Sequence, residues 1–118
     1  MSRAHEPGES IDAREAIELV GADEVWLLDV RETFEWAEGH APRAHHIPMG
    51  ELGLRQDELP DDGMPIAVIC HVGGRSRVVT DALVRADYAA IDVAGGMVAW
   101  RASGGESVVD GVDEDTAV

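Results

Sequence analysis

The sequence contains no lysine and only one cysteine, Cys70, among its 118 residues. All nine cationic side chains are arginines, set against 24 aspartates and glutamates, so the formal net charge at pH 7 is −15. This balance leaves no basic stripe to neutralise phosphates, which argues against nucleic acid as a partner and against anionic membrane surfaces. A single cysteine forms no internal disulfide, so we expect a fold that does not depend on oxidation.

Aromatic residues are also scarce, at 4% of the chain, whereas hydrophobic residues make up 45%. Alanine, valine, leucine and isoleucine must therefore fill the core of what we expect to be one domain. No apolar run approaches the length of a membrane span, and the first residues form no apolar signal region. We therefore expect a cytoplasmic protein whose acidity keeps its surface solvated, with adaptation to salt left open.

Short apolar strands alternate with helical patterns along most of the chain. We predict strands at 25–30, 44–47, 65–70 and 89–93, and helices at 12–20 (capped by Ser10), 31–38, 76–86 and 97–102. One or two helical turns at 49–54 and an acidic loop at 56–64 lie between them. The alternation indicates an α/β fold with a mostly parallel sheet over residues 10–102. Residues 1–9 and the acidic residues 103–118 are expected to be flexible.

Cys70 ends one of the predicted buried strands, and a glycine-rich loop follows it directly. In a parallel sheet, ligands bind beyond the carboxyl ends of the strands. Gly73 and Gly74 allow the chain to curl around the sulfur, so that backbone N–H groups and the next helix N-terminus face it. Arg75 adds a permanent positive charge. Together these groups favour a thiolate, which is the nucleophilic form of cysteine.

Two other interpretations of Cys70 compete with a nucleophile. Cysteine is often simply buried in a core, but the glycine pair and the arginine downstream favour chemistry. A tyrosine-phosphatase or arsenate-reductase site is the second alternative, because phosphatases carry an arginine six positions after the cysteine. Here Ser76 occupies that position, with Arg75 and Arg77 on either side. The tighter loop favours a single sulfur atom over a phosphoryl group.

Four motifs in order resemble the rhodanese family of sulfurtransferases, over about residues 10–101. Leu28-Asp-Val-Arg31 with Glu32 and Glu35 resembles the first signature of the family, and Gly39-His40 leading to Ile47-Pro48 resembles the second. The segment Cys70-His-Val-Gly-Gly-Arg-Ser76 fits the CxxGxRS active-site loop. Gly95-Gly96-Met97 with Trp100 resembles the closing GGxxxW signature.

The resemblance implies a five-stranded, mostly parallel sheet with helices on both faces and Cys70 as the catalytic residue. By resemblance, Cys70 takes a sulfane sulfur from a donor such as thiosulfate as a persulfide, and cyanide or a thiol acceptor removes it. The substrate-binding residues would be His71, Val72, Gly73, Gly74, Arg75 and Ser76, with Arg75 orienting the donor. No metal or organic cofactor is implied. A persulfide carrier or sulfur-sensing module that serves a protein partner is the alternative function.

Asp29, Arg31 and His40 are assigned supporting roles. A buried carboxylate needs a partner, so Asp29 either holds the active-site loop or pairs with Arg31, and we favour the pair. His71 either tunes the thiolate or points outward, and outward exposure is favoured. Arg43 replaces a glycine of the family pattern, which leaves open a strained backbone or a second cation reaching the site.

Overall fold

The computed structural model describes residues 5–109. The strands are β1 (Ser10–Ile11), β2 (Trp26–Asp29), β3 (His45–His46), β4 (Ile66–Ile69) and β5 (Ala90–Val93). The helices are α1 (Ala13–Gly21), α2 (Thr33–Glu38), α3 (Gly74–Arg85) and α4 (Gly96–Ala102). Two short 3₁₀ helices, Met49–Leu54 and Gln56–Glu58, lie between β3 and β4.

The five strands form one sheet in the order β1-β5-β4-β2-β3, and every neighbouring pair is parallel. The central strand β4 is a short apolar run buried on both faces, as a parallel strand between helices must be. Its neighbours β5 and β2 are buried as well, apart from the half-buried Trp26. All carboxyl ends of the strands therefore open on one edge of the sheet, where Asp29 and Cys70 lie. The predicted α/β class and five-stranded sheet are confirmed.

Alternate residues of β4 enter two separate hydrophobic cores, which shows that helices cover both faces. Ala67 and Ile69 pack with residues of α1 and α4, including Trp100. Ile66, Val68 and Cys70 pack on the other face with Val79 and Leu83 of α3, the period of two that a strand imposes. Cys70 thus belongs both to a core and to the edge of the sheet at which the strands end.

The prediction that Ser10 caps the first helix is wrong. Ser10 lies in β1, the edge strand that sequence patterning missed because only two residues pair with β5. Asp12 is the N-cap instead, and its Oδ1 accepts a hydrogen bond of 2.8 Å from the Glu15 N–H. Aspartate caps helices as well as serine does, so composition alone did not distinguish the two.

Helix α3 begins at Gly74, two residues earlier than predicted. Arg75 and Ser76 therefore occupy the first helical turn rather than the loop. The packed part of the chain also reaches beyond both predicted domain limits. The Gly8 N–H donates to Ala90 O, and Val108 forms an antiparallel bridge with His40. Residues 1–4 and 110–118 of the predicted flexible ends lie outside the described residues.

Candidate active site

The sulfur of Cys70 lies at the carboxyl end of β4 and is almost fully enclosed, with 1% of the residue exposed. The Gly73 N–H donates a hydrogen bond of 3.1 Å to Cys70 Sγ. Gly73 has a φ of 116° and is the N-cap of α3, a conformation that favours glycine because a side chain would be strained there. Gly73 thus turns its own N–H toward the sulfur, as the sequence predicted, whereas Gly74 has no positive φ and is the first residue of α3.

The loop is held from behind by the start of α4. The Met97 N–H donates to Cys70 O at 2.7 Å, and the Val98 N–H donates to His71 O at 3.1 Å. Gly96 makes this contact possible, since a Cβ on it would lie 2.5 Å from Cys70 O. The GGxxxW segment therefore supports the loop that follows Cys70. The N-terminal N–H groups of α4 satisfy carbonyls that the loop exposes.

Ser76 connects Cys70 to a buried carboxylate on the neighbouring strand. Its Oγ lies 3.4 Å from Cys70 Sγ and donates to Asp92 Oδ1 at 2.6 Å. Asp92 also accepts a hydrogen bond of 3.1 Å from Ser10 Oγ. Both Ser76 and Asp92 are buried, with 0% and 4% exposed. This network extends from β1 through β5 to the sulfur.

Arg75 is bound by Glu35 of α2 through both terminal nitrogens, at 2.7 and 2.9 Å. These hydrogen bonds, aided by the Glu32 N–H, lower the pKa of Glu35 from 4.5 to about 2, against the opposing effect of partial burial. The hydrogen bonds to Glu35 raise the pKa of Arg75, and a charge interaction with Cys70 raises it further. Arg75 therefore adds a fixed positive charge near the sulfur, on a guanidinium whose fork is already occupied.

Asp29 and Arg31 form a buried ion pair beside this site. Arg31 Nε and Nη2 donate to the Asp29 carboxylate at 2.8–3.1 Å, and the two residues are 0% and 2% exposed. Arg31 Nη2 also donates to Gly39 O at 2.8 Å. The structure thus contains the pair that we favoured for Asp29, and Arg31 ties the end of β2 to the end of α2.

His40 lies at the end of α2, away from the sulfur contacts. It is 3% exposed, stacks on Trp36 with the ring centres 3.5 Å apart, and Nδ1 lies 2.9 Å from Trp36 O. His46 stacks on the Trp36 ring at 4.6 Å. Within residues 5–109, no group of three or more His, Cys, Asp or Glu side chains is placed to hold a metal ion.

His71 and Val72 are exposed at the mouth of the loop. His71 lines a groove of about 420 Å³. Both charged and apolar side chains line the same groove, among them Arg31, Phe34, Glu35 and Arg101. The outward position of His71 agrees with the interpretation that we favoured. The groove is thus a charged, partly apolar depression beside the loop that follows Cys70.

Arg43 takes no part in this site. Its Nη1 donates to Val20 O at 2.9 Å and to Asp23 Oδ1 at 2.8 Å. Among the described residues other than glycine, only Asp23 and Asp87 have a positive φ, so the expected strain at Arg43 is absent as well. The idea that Arg43 supplies a second cation to the site is therefore wrong, because the side chain bonds to the end of α1.

Two residues of the site escaped sequence reasoning as individual contributors. Glu35 was noted only as part of a motif, although it binds Arg75. Asp92 was passed over inside a predicted strand, although a buried carboxylate between apolar neighbours needs partners and so signals a network. The same argument singled out Asp29. Applied to every acidic residue in an apolar run, it would have found Asp92.

Residues 12–103 match the rhodanese-like domain, and the chain belongs to this family. A putative sulfurtransferase of Bacillus subtilis, YtwF, is 40% identical over 85 residues, which cover 71% of this chain and 82% of that protein. The crystal structure of a rhodanese-related protein from Thermoplasma volcanium superposes with a TM-score of 0.80 at 32% identity. That match covers 86% of this chain and 99% of the other.

A putative sulfur carrier protein of Bacillus subtilis, YrkF, is also similar, at 37% identity over 75 residues. The match covers 63% of this chain but only 40% of that protein. The relatives named here thus include both a sulfurtransferase and a sulfur carrier.

None of the helices in the described part of the chain is long and apolar enough to cross a membrane.

Proposed function

We propose that this protein is a sulfurtransferase that moves a sulfane sulfur through a persulfide on Cys70. The observation that carries the proposal is the position of the sulfur. Cys70 Sγ lies at the carboxyl edge of the sheet and accepts the Gly73 N–H, with the start of α3 and the charge of Arg75 beside it. These groups stabilise negative charge on sulfur, in the thiolate and in the outer atom of a persulfide alike.

The first half-reaction is attack on the donor. The Cys70 thiolate attacks the outer sulfur of thiosulfate, a new S–S bond forms, and the S–S bond of thiosulfate breaks with sulfite leaving with the electron pair. In the second half-reaction, cyanide attacks the outer sulfur of the persulfide. Thiocyanate leaves and the Cys70 thiolate is restored. One difficult transfer is thereby divided into two displacements.

The chain supplies binding and charge stabilisation for both steps. We propose that the donor approaches along the groove beside His71, where Arg101 offers a cation to an anionic donor. Arg75 acts through its charge, which the paired Glu35 carboxylate partly offsets, rather than through new hydrogen bonds from its terminal nitrogens. A thiol or an acceptor protein replaces cyanide in the second step, because the attacking group needs only to be thiophilic.

The test measures thiocyanate formed from thiosulfate and cyanide by the wild-type chain and by Cys70→Ser. We expect the substitution to reduce turnover to the background rate, because serine forms no persulfide. Intact-mass spectrometry after exposure to thiosulfate should show one added sulfur atom, about 32 Da, on the wild type only. Turnover that survives C70S would overturn the proposal.

A persulfide carrier is the second candidate, and the similarity to a sulfur carrier favours it. In this role Cys70 holds the sulfur for a single protein acceptor instead of turning over with small molecules. The distinguishing result is a stable added sulfur together with poor thiocyanate formation. An unmodified mass under excess donor counts against both functions.

A further inference from the structure

The Ser76 hydroxyl has one hydrogen and three acceptors within reach. Asp92 Oδ1 lies 2.6 Å away, Gly73 O lies 3.2 Å away, and Cys70 Sγ lies 3.4 Å away. The shortest contact has the length of a hydroxyl–carboxylate hydrogen bond, which is the strong, charge-assisted kind. The hydrogen therefore points to Asp92, and a lone pair of Ser76 Oγ faces the sulfur.

A lone pair facing the sulfur distinguishes between the two forms of Cys70. A thiol can donate its hydrogen to Ser76 Oγ, whereas a thiolate meets an acceptor where it needs a donor. On the other side of Ser76, the Asp92 carboxylate adds a negative charge. It lies in a buried region where charges are weakly screened, so it disfavours a second negative charge on the sulfur. Both effects oppose the thiolate, against the Gly73 N–H and Arg75.

We propose that Asp92 is a positioning residue that limits the reactivity of Cys70 by holding the Ser76 hydrogen away from the sulfur. The consequence for sulfur transfer rests on the proposed function, in which Cys70 leaves as a thiolate when the acceptor attacks. A thiolate that is less stabilised is a poorer leaving group. Asp92 therefore lengthens the life of the persulfide, which suits a protein that holds sulfur for its acceptor.

Other charged groups act on Cys70 or on its neighbours and must be kept constant in any test. Arg75 lies on α3, and its charge interacts with Cys70, while Glu35 and Glu32 act on Arg75 from α2 and its N-cap. His71 follows Cys70 in the loop and is exposed. On the far side, a guanidinium reaches the network through Ser10, whose Oγ accepts from Arg77 Nη1 at 3.2 Å.

The main test is Asp92→Asn, which keeps the shape and removes the charge. The amide can donate to Ser76 Oγ, which frees the serine hydrogen. Gly73 O and the sulfur then compete for it, and a thiolate is the stronger acceptor because it is charged. Because the chain has one cysteine, its ultraviolet thiolate absorbance reports Cys70 alone once the C70S spectrum is subtracted. At a fixed pH near neutrality we expect roughly three- to tenfold more thiolate relative to thiol, the effect of one redirected hydrogen bond.

Asp87→Asn is the matched control, since Asp87 is exposed and its loss changes the net charge equally. Asparagine tolerates the positive φ of 70° at that position. We expect D87N to have the same thiolate fraction as the wild type. An unchanged or smaller thiolate fraction in D92N would overturn the proposal, because it would mean that Asp92 activates the sulfur or does not act on it.

Ser76→Ala tests whether the effect passes through the serine. S76A removes the facing lone pair, so the thiolate fraction should rise, and the further effect of D92N in S76A should be smaller than in the wild type. S76A also provides the test if D92N does not fold, and a fall in thiolate fraction would then contradict the proposal. These titrations need no sulfur donor, so they separate this inference from the proposed function. Faster loss of the added sulfur to cyanide in D92N would show that the effect of Asp92 on the thiolate also governs sulfur transfer.

Discussion

At the scale of single residues, the site is built from polar groups that are already paired. The guanidinium of Arg75 is bound at both terminal nitrogens by Glu35, and the buried Arg31 is neutralised by Asp29. A cation whose fork is occupied acts on a substrate through its charge more than through new hydrogen bonds. Glu35 also links α2 to α3 through this ion pair.

Glu35→Gln provides a prediction at this scale. The folded-state pKa of Glu35 is lowered to about 2, so its stabilising effect is complete above the ordinary value of 4.5 and is lost as the pH falls through about 2. We expect E35Q to lower the free energy of unfolding by about 1.5–3 kcal/mol at pH 7, the range for hydrogen bonds to charged groups. The difference should shrink toward zero between about pH 4.5 and about pH 2.

Denaturant unfolding of both proteins at several pH values measures this effect. Glu38→Gln is the control, because Glu38 is an exposed residue of the same helix and its loss changes the net charge equally. A difference between wild type and E35Q that persisted unchanged at about pH 2 would contradict an ionised Glu35 as its source.

At the scale of elements, the active-site loop depends on the start of α4 more than on its own residues. Gly95 and Gly96 both have positive φ, 79° and 57°. They allow the first N–H groups of α4 to reach the carbonyls of Cys70 and His71. The end of β4 and the start of the loop after it are thus held by a segment more than twenty residues later in the sequence.

Gly96→Ala should therefore disable the loop. The new Cβ would lie 2.5 Å from Cys70 O and would also meet His71 O, so backbone must shift, at a cost of about 2 kcal/mol or more in the free energy of unfolding. Gly50→Ala is the matched control, since nothing lies within 4 Å of a Cβ at Gly50. Thermal unfolding and the thiosulfate assay measure the two variants. Wild-type stability and turnover in G96A would show that the close approach does not matter.

At the scale of the whole molecule, the net charge is −15. Folding brings the acidic side chains closer together, so their mutual repulsion destabilises the folded state relative to the unfolded chain. Repulsion between exposed charges is screened by salt, and the Debye length falls from about 30 Å at 0.01 M to about 8 Å at 0.15 M. The local ion pairs are screened as well, but the 24 acidic side chains greatly outnumber the nine arginines that could pair with them. Net repulsion should therefore control the response to salt.

We expect the melting temperature to rise as sodium chloride increases from about 0.01 M to about 0.15 M, and to rise more slowly beyond that. Calorimetry at pH 7 measures the change. Choline chloride at equal ionic strength is the control, because screening depends on ionic strength and not on the identity of the cation. A melting temperature that fell over this range would show that local ion pairs outweigh the net charge.

The sequence by itself determined the fold class and singled out Cys70 as the residue on which the proposed function rests. Alternating apolar strands and helical patterns specify a parallel sheet, because each pattern is a local consequence of which faces must be buried. Cys70 and its glycine pair were recognisable because loop geometry after a strand is also local. The family pattern supplied the number of strands, although it did not identify Ser10–Ile11 as the fifth.

Only the tertiary structure decided which polar residues meet. Glu35 and Arg75 are 40 residues apart, and Ser76 and Asp92 are 16 apart, so no local pattern links them. Arg43, which replaces a glycine of the motif, turned out to bond to the end of α1 instead of the site. Hydrogen-bond partners depend on distances of a few tenths of an ångström between separate elements, and packing alone sets those distances.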